Sequence, residues 1–510
     1  MPKPSWSGEV SRKIVQRIVV EGDLVLLTPA HFGNGDGDDL IDMPLLTDSL
    51  DEKTPLLTGA SIVGALRGYL HEREQGFRVK VDTYASANKS ASVRLFGGNK
   101  GNDVGEQSPL IVEDARGKNA GIELRDGVRL AGKSRTAEHD ALFNIEMWEV
   151  GTTFPLRFEL VVRQSDEASE LKRALATALA GFTDGSITIG ARKRRGYGRV
   201  NVTGWRVKEY DLTKTGQLLD WIEHGAKELS GTASTDIMHA LGIDELVTDQ
   251  RKAFRLKAEF YLDGSLLIRS GSGPDIEGAT DAANIARPDF MHLHSARPTA
   301  GGVRKSEPVL SGTSLTGALR ARAFKIAQLI APDTVEGQEA AGGLIEDMFG
   351  ANMGTAQEPK ASQPKASRML VREHIVRNVE NMLVQNRVSI DRFTGGTRDG
   401  ALFNEQPLFG DAQSVVTVDL QLEEPKEHEI GLLLLLLKDL WTGDLPLGGE
   451  ISVGRGRLQG KNCEIEHRNG EVRTWNLLAN ETNGLSVKGD TQELEKYVAS
   501  LHTYLSGSKS

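Results

Sequence analysis

Leu57-Thr-Gly-Ala-Ser-Ile-Val-Gly-Ala-Leu-Arg67 returns as Leu310-Ser-Gly-Thr-Ser-Leu-Thr-Gly-Ala-Leu-Arg320, 253 positions downstream. Leu95-Phe-Gly97 pairs with Met348-Phe-Gly350 at the same spacing. Further along, Leu110-Ile-Val-Glu-Asp114 resembles Met369-Leu-Val-Arg-Glu373. Ala141-Leu-Phe-Asn144 recurs as Ala401-Leu-Phe-Asn404, by which point insertions have widened the spacing to 260. Near the end of each half, Thr188-Ile-Gly190 running into Gly196-Tyr-Gly-Arg199 corresponds to Ser452-Val-Gly454 followed by Gly456-Arg457. One short match is coincidence; five in the same order are a duplication.

Each half then has to be read as one unit. A β-rich run (14–27; 254–268) precedes the repeated Gly/Ser motif, which opens a helix (61–74; 314–329). A long irregular region follows, then a strand (154–162; 415–422), a helix (167–180; 430–440) and a closing pair of strands rich in Gly and Arg. That order predicts an α+β fold, two tandem ferredoxin-like (RRM-like) domains, each with an inserted lobe. The first domain is placed at 1–210, a connector with a helical piece (216–229) at 211–251, the second domain at 252–475 and a tail at 476–510. Three-to-four spacing of Leu494, Tyr497, Val498, Leu501 and Leu505 makes the tail a helix that caps the second domain.

Bulk composition narrows the function. A chain of 510 residues has room for several domains. With 39% hydrophobic and 26% charged residues it reads as a soluble globular protein. The apolar run Leu432 to Leu437 is too short for a bilayer, and Met1-Pro-Lys-Pro-Ser-Trp6 carries no apolar signal core, so the expected location is the cytoplasm, with no membrane partner. Cys463 is the only cysteine, which excludes disulfide scaffolds and thiolate-rich zinc sites. A net charge of -10 argues against coating nucleic acid over the whole surface, and leaves local patches open.

Two basic features suit phosphate. Gly59 and Gly312 permit close backbone approach, Ser61 and Ser314 follow at the helix start, and Arg67 and Arg320 lie about one and a half turns further in. The same glycines would equally serve tight helix–sheet packing, and the arginines surface ion pairs. The run Arg192, Lys193, Arg194, Arg195, then Arg199, has no acid nearby, and Arg455 and Arg457 match it in the second half. Such a run neutralises phosphates by counterion release, or is merely a solvated turn. His292 and His294 alternate on one strand face with no third metal ligand, so local hydrogen bonding is their ordinary use. Against these stands an acidic loop of Asp36, Asp38, Asp39, Asp42, Asp48, Asp51 and Glu52, which is costly beside RNA unless it holds a cation or keeps its distance.

The Gly-x-Ser helix start, the Leu-Phe-Gly, Ile390-Asp-Arg-Phe-Thr-Gly-Gly396 leading to Asn404, and the Gly/Arg-rich closing loop together resemble the RAMP superfamily. The specific similarity is to the backbone subunits of type III CRISPR effector complexes. The resemblance implies tandem RAMP domains that grip CRISPR RNA beside other effector subunits. It also implies a protruding β-hairpin thumb in each half, within 115–144 and 374–404. It further implies cleavage of complementary target RNA, with Asp42 as catalytic residue and ligand of a divalent cation, Mg2+ or Mn2+. Laying Met291-His-Leu-His294 against Pro44-Leu-Leu-Thr47 brings Asp289 onto Asp42, with a loop six residues longer behind it. Two other readings stay open: a guide-binding subunit with an inert acidic loop, and a metal-independent guide-processing endoribonuclease using His31 or His71 as base.

Overall fold

The computed structural model describes residues 13–33, 43–79, 90–98, 107–130, 137–225, 227–270, 288–299, 301–351, 365–480 and 485–507. Asp36, Asp38, Asp39 and Asp42 lie outside them. Among the described residues no helix is long and apolar enough to cross a membrane.

The first half runs β1 (Ile14–Leu26), α1 (Gly59–Gln75), α2 (Ala91–Phe96), β2 (Leu110–Val112), a hairpin of β3 (Ile122–Leu130) and β4 (Ala137–Trp148), β5 (Thr153–Arg163), α3 (Ala168–Thr183) and β6 (Val200–Asp211). A connector carries α4 (Thr215–His224) and α5 (Ile237–Leu241). The second half repeats the series as β7 (Ala253–Leu266), a hairpin of β8 (His294–Pro298) and β9 (Arg304–Leu310), α6 (Gly312–Ile330), α7 (Val335–Phe349), β10 (Met369–Val371), a hairpin of β11 (Gln385–Ile390) and β12 (Thr397–Gln406), β13 (Val416–Glu423), α8 (Glu427–Trp441) and β14 (Arg457–Asn469). Two further strands, β15 (Glu471–Ala479) and β16 (Leu485–Lys488), and α9 (Thr491–Ser506) end the chain.

The two sheets order their strands identically, β2-β5-β1-β6 and β10-β13-β7-β14, with every neighbour antiparallel. With one helix after the first strand and one after the third, this is an antiparallel α+β architecture consistent with the ferredoxin-like fold. Strand periodicity decides the faces. Along β7, Phe254, Leu256, Ala258, Phe260 and Leu262 are fully buried against the helices, while Arg255, Lys257, Glu259 and Tyr261 take the opposite face. Ile18, Val20, Leu24 and Leu26 do the same along β1. Each such side chain contributes about 1.5–3 kcal/mol by leaving water.

Three features depart from the sequence expectation. First, the irregular region after the motif helix contains a second helix in each half, and the Leu-Phe-Gly and Met-Phe-Gly motifs are its C-terminal end. Second, the connector does not merely link. Its helix α4 lies on the outer face of the first sheet: the Arg17 guanidinium sits 4.8 Å over Trp221, Tyr210 meets the same ring edge-on, and Glu21 accepts a bond from the Leu229 N–H at 2.9 Å. Third, no boundary falls at residue 475. Strand β15 crosses it, pairs along β14, and buries Trp475 in the second core. The tail helix α9 does cap this domain, crossing α8 so closely that a Cβ at Gly431 would lie 2.3 Å from the Tyr497 carbonyl oxygen.

The halves meet through a built joint. Arg125 of the first hairpin is 3% exposed and donates to both carboxylate oxygens of Glu373, itself fully buried, at 3.1 and 3.2 Å, with Glu123 on its other side. The β8–β9 hairpin reaches back onto the first half through Ser295 to Glu123, Arg297 to the Leu27 carbonyl, and an ion pair of Arg304 with Glu149. That hairpin is what the longer loop after Asp289 builds.

Candidate nucleic-acid interface

The repeated glycines face protein. A Cβ at Gly59 would stand 2.5 Å from the Val112 carbonyl oxygen, and the Gly59 N–H already donates to Asp114 at 2.7 Å. At Gly312 the intruders are the carbonyls of Arg195 and Val371, 2.3 and 2.6 Å away, so this glycine admits the first half's basic loop. Ser61 and Ser314 belong to the helix caps: their backbone N–H groups donate to the Thr58 and Ser311 hydroxyls, and the Ser61 hydroxyl pairs with Thr58. Arg67 donates to the Gly97 carbonyl and Arg320 to the Gly350 carbonyl, each tying the motif helix to the end of the helix behind it. These contacts give the six residues a packing and capping use: the Gly59, Ser61 and Ser314 N–H groups meet side-chain oxygens, Gly312 admits a neighbouring loop, and Arg67 and Arg320 each spend one nitrogen on a backbone carbonyl.

The closing loops share a backbone and differ in charge. Arg192 and Glu450 both take left-handed dihedrals, as do Gly196 and Gly454 and then Gly198 and Gly456, around short turns Lys193–Arg195 and Ile451–Val453. Arg192 stacks 4.4 Å over Phe143, and Arg194 lies over Phe77 and 3.6 Å from Glu423. Lys193 and Arg195 are exposed. Arg455 occupies the place of Tyr197, is 3% exposed, and is held by Glu405, Glu450 and Gln385. A cation so enclosed is spent internally, so Arg455 is withdrawn as a phosphate contact. Arg457 is exposed.

At the joint, arginines from both halves converge on one carboxylate. Arg372 and Arg255 bond Asp419 at 2.9 and 3.0 Å, His374 stands 3.6 Å from it, and Arg297 and the half-buried Arg199 belong to the same field. Burial alone would raise the Asp419 carboxyl, but His374, Arg372 and Arg255 outweigh it and hold it far below the usual carboxylate range. Burial, then Arg372, push the Arg199 guanidinium below its ordinary value. The Nε atoms of Arg199 and Arg297 find no hydrogen-bond partner among the described residues. Arg255 and Arg372 on Asp419, with Arg199 beside them and the Arg255 side chain 43% exposed, make a cationic seat open to an anion, while Arg297 stands 3.9 Å from Glu373. Arg255, Arg297 and Arg372 escaped the sequence reading. The out-of-phase Arg255 and Lys257 of β7 were the available signal.

The two inner hairpins are in one register. Asp126 pairs with Asn144 and Arg125 with Ile145; Asn386 pairs with Asn404 and Gln385 with Glu405, each 260 positions on. Met43 bridges Ile145 in parallel, and Phe290 pairs in parallel with Glu405. Asp289 is the residue before Phe290; Asp42, the residue before Met43, lies outside the described residues. Asp289 is exposed at the hairpin root: its N–H donates to the Asn404 side-chain oxygen at 2.6 Å, and its carboxylate accepts the Asn404 N–H at 2.8 Å. Among the described residues no three His, Cys, Asp or Glu side chains gather to hold a metal ion. Among the described residues the other carboxylate oxygen of Asp289 meets no hydrogen-bond donor, which suits one bond to a cation whose other ligands are water and phosphate oxygens.

His31, His71, His292 and His294 are each hydrogen-bonded within the fold. His292 is fully buried, accepting from the Ile268 N–H and facing the Val309 carbonyl at 3.0 Å, and burial pushes it down to about 3. His294 bonds the His292 carbonyl. His31 is 2% exposed and bonded to the Glu146 carbonyl, and His71 is bonded to the Val79 carbonyl.

A family model described as RAMP superfamily matches residues 23–201 and 296–459, one region in each half. No curated protein matches the chain.

Proposed function

The chain belongs to the RAMP superfamily, whose members have CRISPR-associated RNA-binding roles, and we propose that it is a guide-RNA-binding backbone subunit of a type III effector complex that also cuts complementary target RNA. The observation that carries guide binding is the arginine seat at the joint, where Arg199, Arg255 and Arg372 stand around Asp419. The inner hairpins support a thumb role: the second displays Val388, Ile390, Leu402 and, at its tip, Phe393, which is 89% exposed. Apolar side chains left in water on a protruding ribbon suit insertion between bases.

For binding, the expected result is a salt dependence of RNA affinity that flattens by ~0.7 in log–log slope for each of Arg199→Ala and Arg255→Ala. An unchanged slope with a folded variant sinks the seat as an RNA contact.

The cleavage part rests on Asp42 and Asp289. In-line attack by a ribose 2′-oxygen forms its bond to phosphorus as the bond to the 5′-oxygen breaks, leaving a 2′,3′-cyclic phosphate and a 5′-hydroxyl. A bound Mg2+ or Mn2+ would supply charge stabilisation to that transition state. The residues of this chain would hold the backbone on the arginine seat and present a carboxylate beside the hairpin root. Incubating the assembled complex with target RNA, with and without EDTA, tests it: loss of one fragment with Asp42→Ala and another with Asp289→Ala is expected. Persistence of every fragment in both variants removes the catalytic assignment, and cleavage that survives chelation removes the cation.

A second reading is guide binding without cleavage, in which the Asp289 carboxylate serves only its ring of bonds with Asn404 at the hairpin root. The histidine-base reading has less support, since His31 is enclosed and His71 is hydrogen-bonded to the backbone.

A further inference from the structure

Glu405 is completely buried and is held by Arg269, Arg387 and Arg455, which makes this point of β12 a firm anchor. The residue before it, Asn404, closes a ring with Asp289 through two bonds of opposite sense, one from each backbone N–H. The first bond uses the Asn404 side chain and fixes the Asp289 backbone; the second fixes a carboxylate oxygen. Phe290 and Met291 then continue in parallel register along Glu405 and Gln406. An exposed aspartate gains no burial energy from being fastened, so the ring's effect is on orientation. The asparagine also recurs in sequence, as Asn144.

We propose that Asn404 is a positioning residue for Asp289, holding its carboxylate at one orientation beside the second hairpin root so that its remaining oxygen is presented to the RNA backbone. This rests on the cleavage reading above and adds a residue to it.

The test combines hydrogen exchange with cleavage, both on the assembled complex carrying guide RNA. With Asn404→Ala, amide exchange in the peptide containing Asp289 rises, and the target fragment lost in Asp289→Ala falls about 10- to 100-fold. The fragment assigned to the first half, the affinity for target RNA and the thermal midpoint stay at wild-type values. Asn404→Asp, which keeps an acceptor for the Asp289 N–H, recovers part of both signals. The double variant Asn404→Ala/Asp289→Ala is no slower at that position than Asp289→Ala alone, because the two act as one unit. Wild-type exchange in Asn404→Ala overturns the proposal, as does wild-type cleavage in Asn404→Ala where Asp289→Ala is inactive. A fragment pattern untouched by Asp289→Ala, with Asn404→Ala still raising exchange, identifies the failure as that of the cleavage reading.

Discussion

His292 shows how a side chain that looks reactive is used for packing. Both ring nitrogens meet backbone groups of the second core, and burial keeps the ring neutral, with its folded pKa pushed down from 6.5 to about 3. Between those values the unfolded chain binds a proton that the folded chain refuses. The stability present above pH 6.5 is therefore lost as the pH falls toward 3, by ~1.4 kcal/mol for each pH unit from this one group. Urea unfolding from pH 7 to 4 should show His292→Leu losing less stability over that window than wild type. Equal slopes would mean the ring is protonated where it sits. At the same scale, Gly312 looked like a phosphate contact because a residue lacking Cβ permits close approach. In the fold the approaching group is the Arg195 carbonyl.

The closing loop is the element in which the two halves diverge most informatively. Its left-handed positions recur, so the same turn is built twice, yet Tyr197 packs with Ile145 and Met147 in the first half while Arg455 meets Glu405 and Glu450 in the second. A tyrosine set against apolar side chains and the Arg125 guanidinium has been exchanged for an arginine among carboxylates. Removing one partner of an enclosed ion pair leaves an uncompensated charge and costs about 3–5 kcal/mol. Arg455→Ala should therefore lower unfolding stability, by less than that amount because Arg269 and Arg387 still face Glu405 and Glu450. Arg457→Ala, on the exposed neighbour, should change stability by less than about 0.5 kcal/mol while weakening RNA binding. Denaturant titration beside an RNA-binding isotherm checks both. The reverse pattern would return Arg455 to the RNA-contacting set.

For the whole molecule, the joint matters more than either domain alone. The repeat position Asp114/Glu373 does two jobs: Asp114 bonds the amide at the start of its own α1, whereas Glu373 takes Arg125 from the other half. That buried pair and the reach of β8–β9 hold the arginine seat together, since its members come from both sides. Arg125→Ala should cost about 3–5 kcal/mol and loosen the seat, whereas Arg125→Met should cost less because it leaves a smaller void. Limited proteolysis in the connector together with RNA affinity reads both effects. Unaltered proteolysis and affinity in Arg125→Ala would show that the halves are held elsewhere.

Duplication and the α+β class were legible in the sequence. They are carried by recurrence along the chain and by the two periodicities of strand and helix, which are local properties. Arg455 is enclosed, Arg372 joins Arg199 across the joint, and α4 covers the outer face of the first sheet. Those facts needed the tertiary structure. The reason is physical: an arginine's charge is free or spent according to the carboxylates within a few ångströms, and here those carboxylates come from distant parts of the chain. Sequence spacing therefore named the cations, and the folding of one half against the other decided which of them carboxylates enclose.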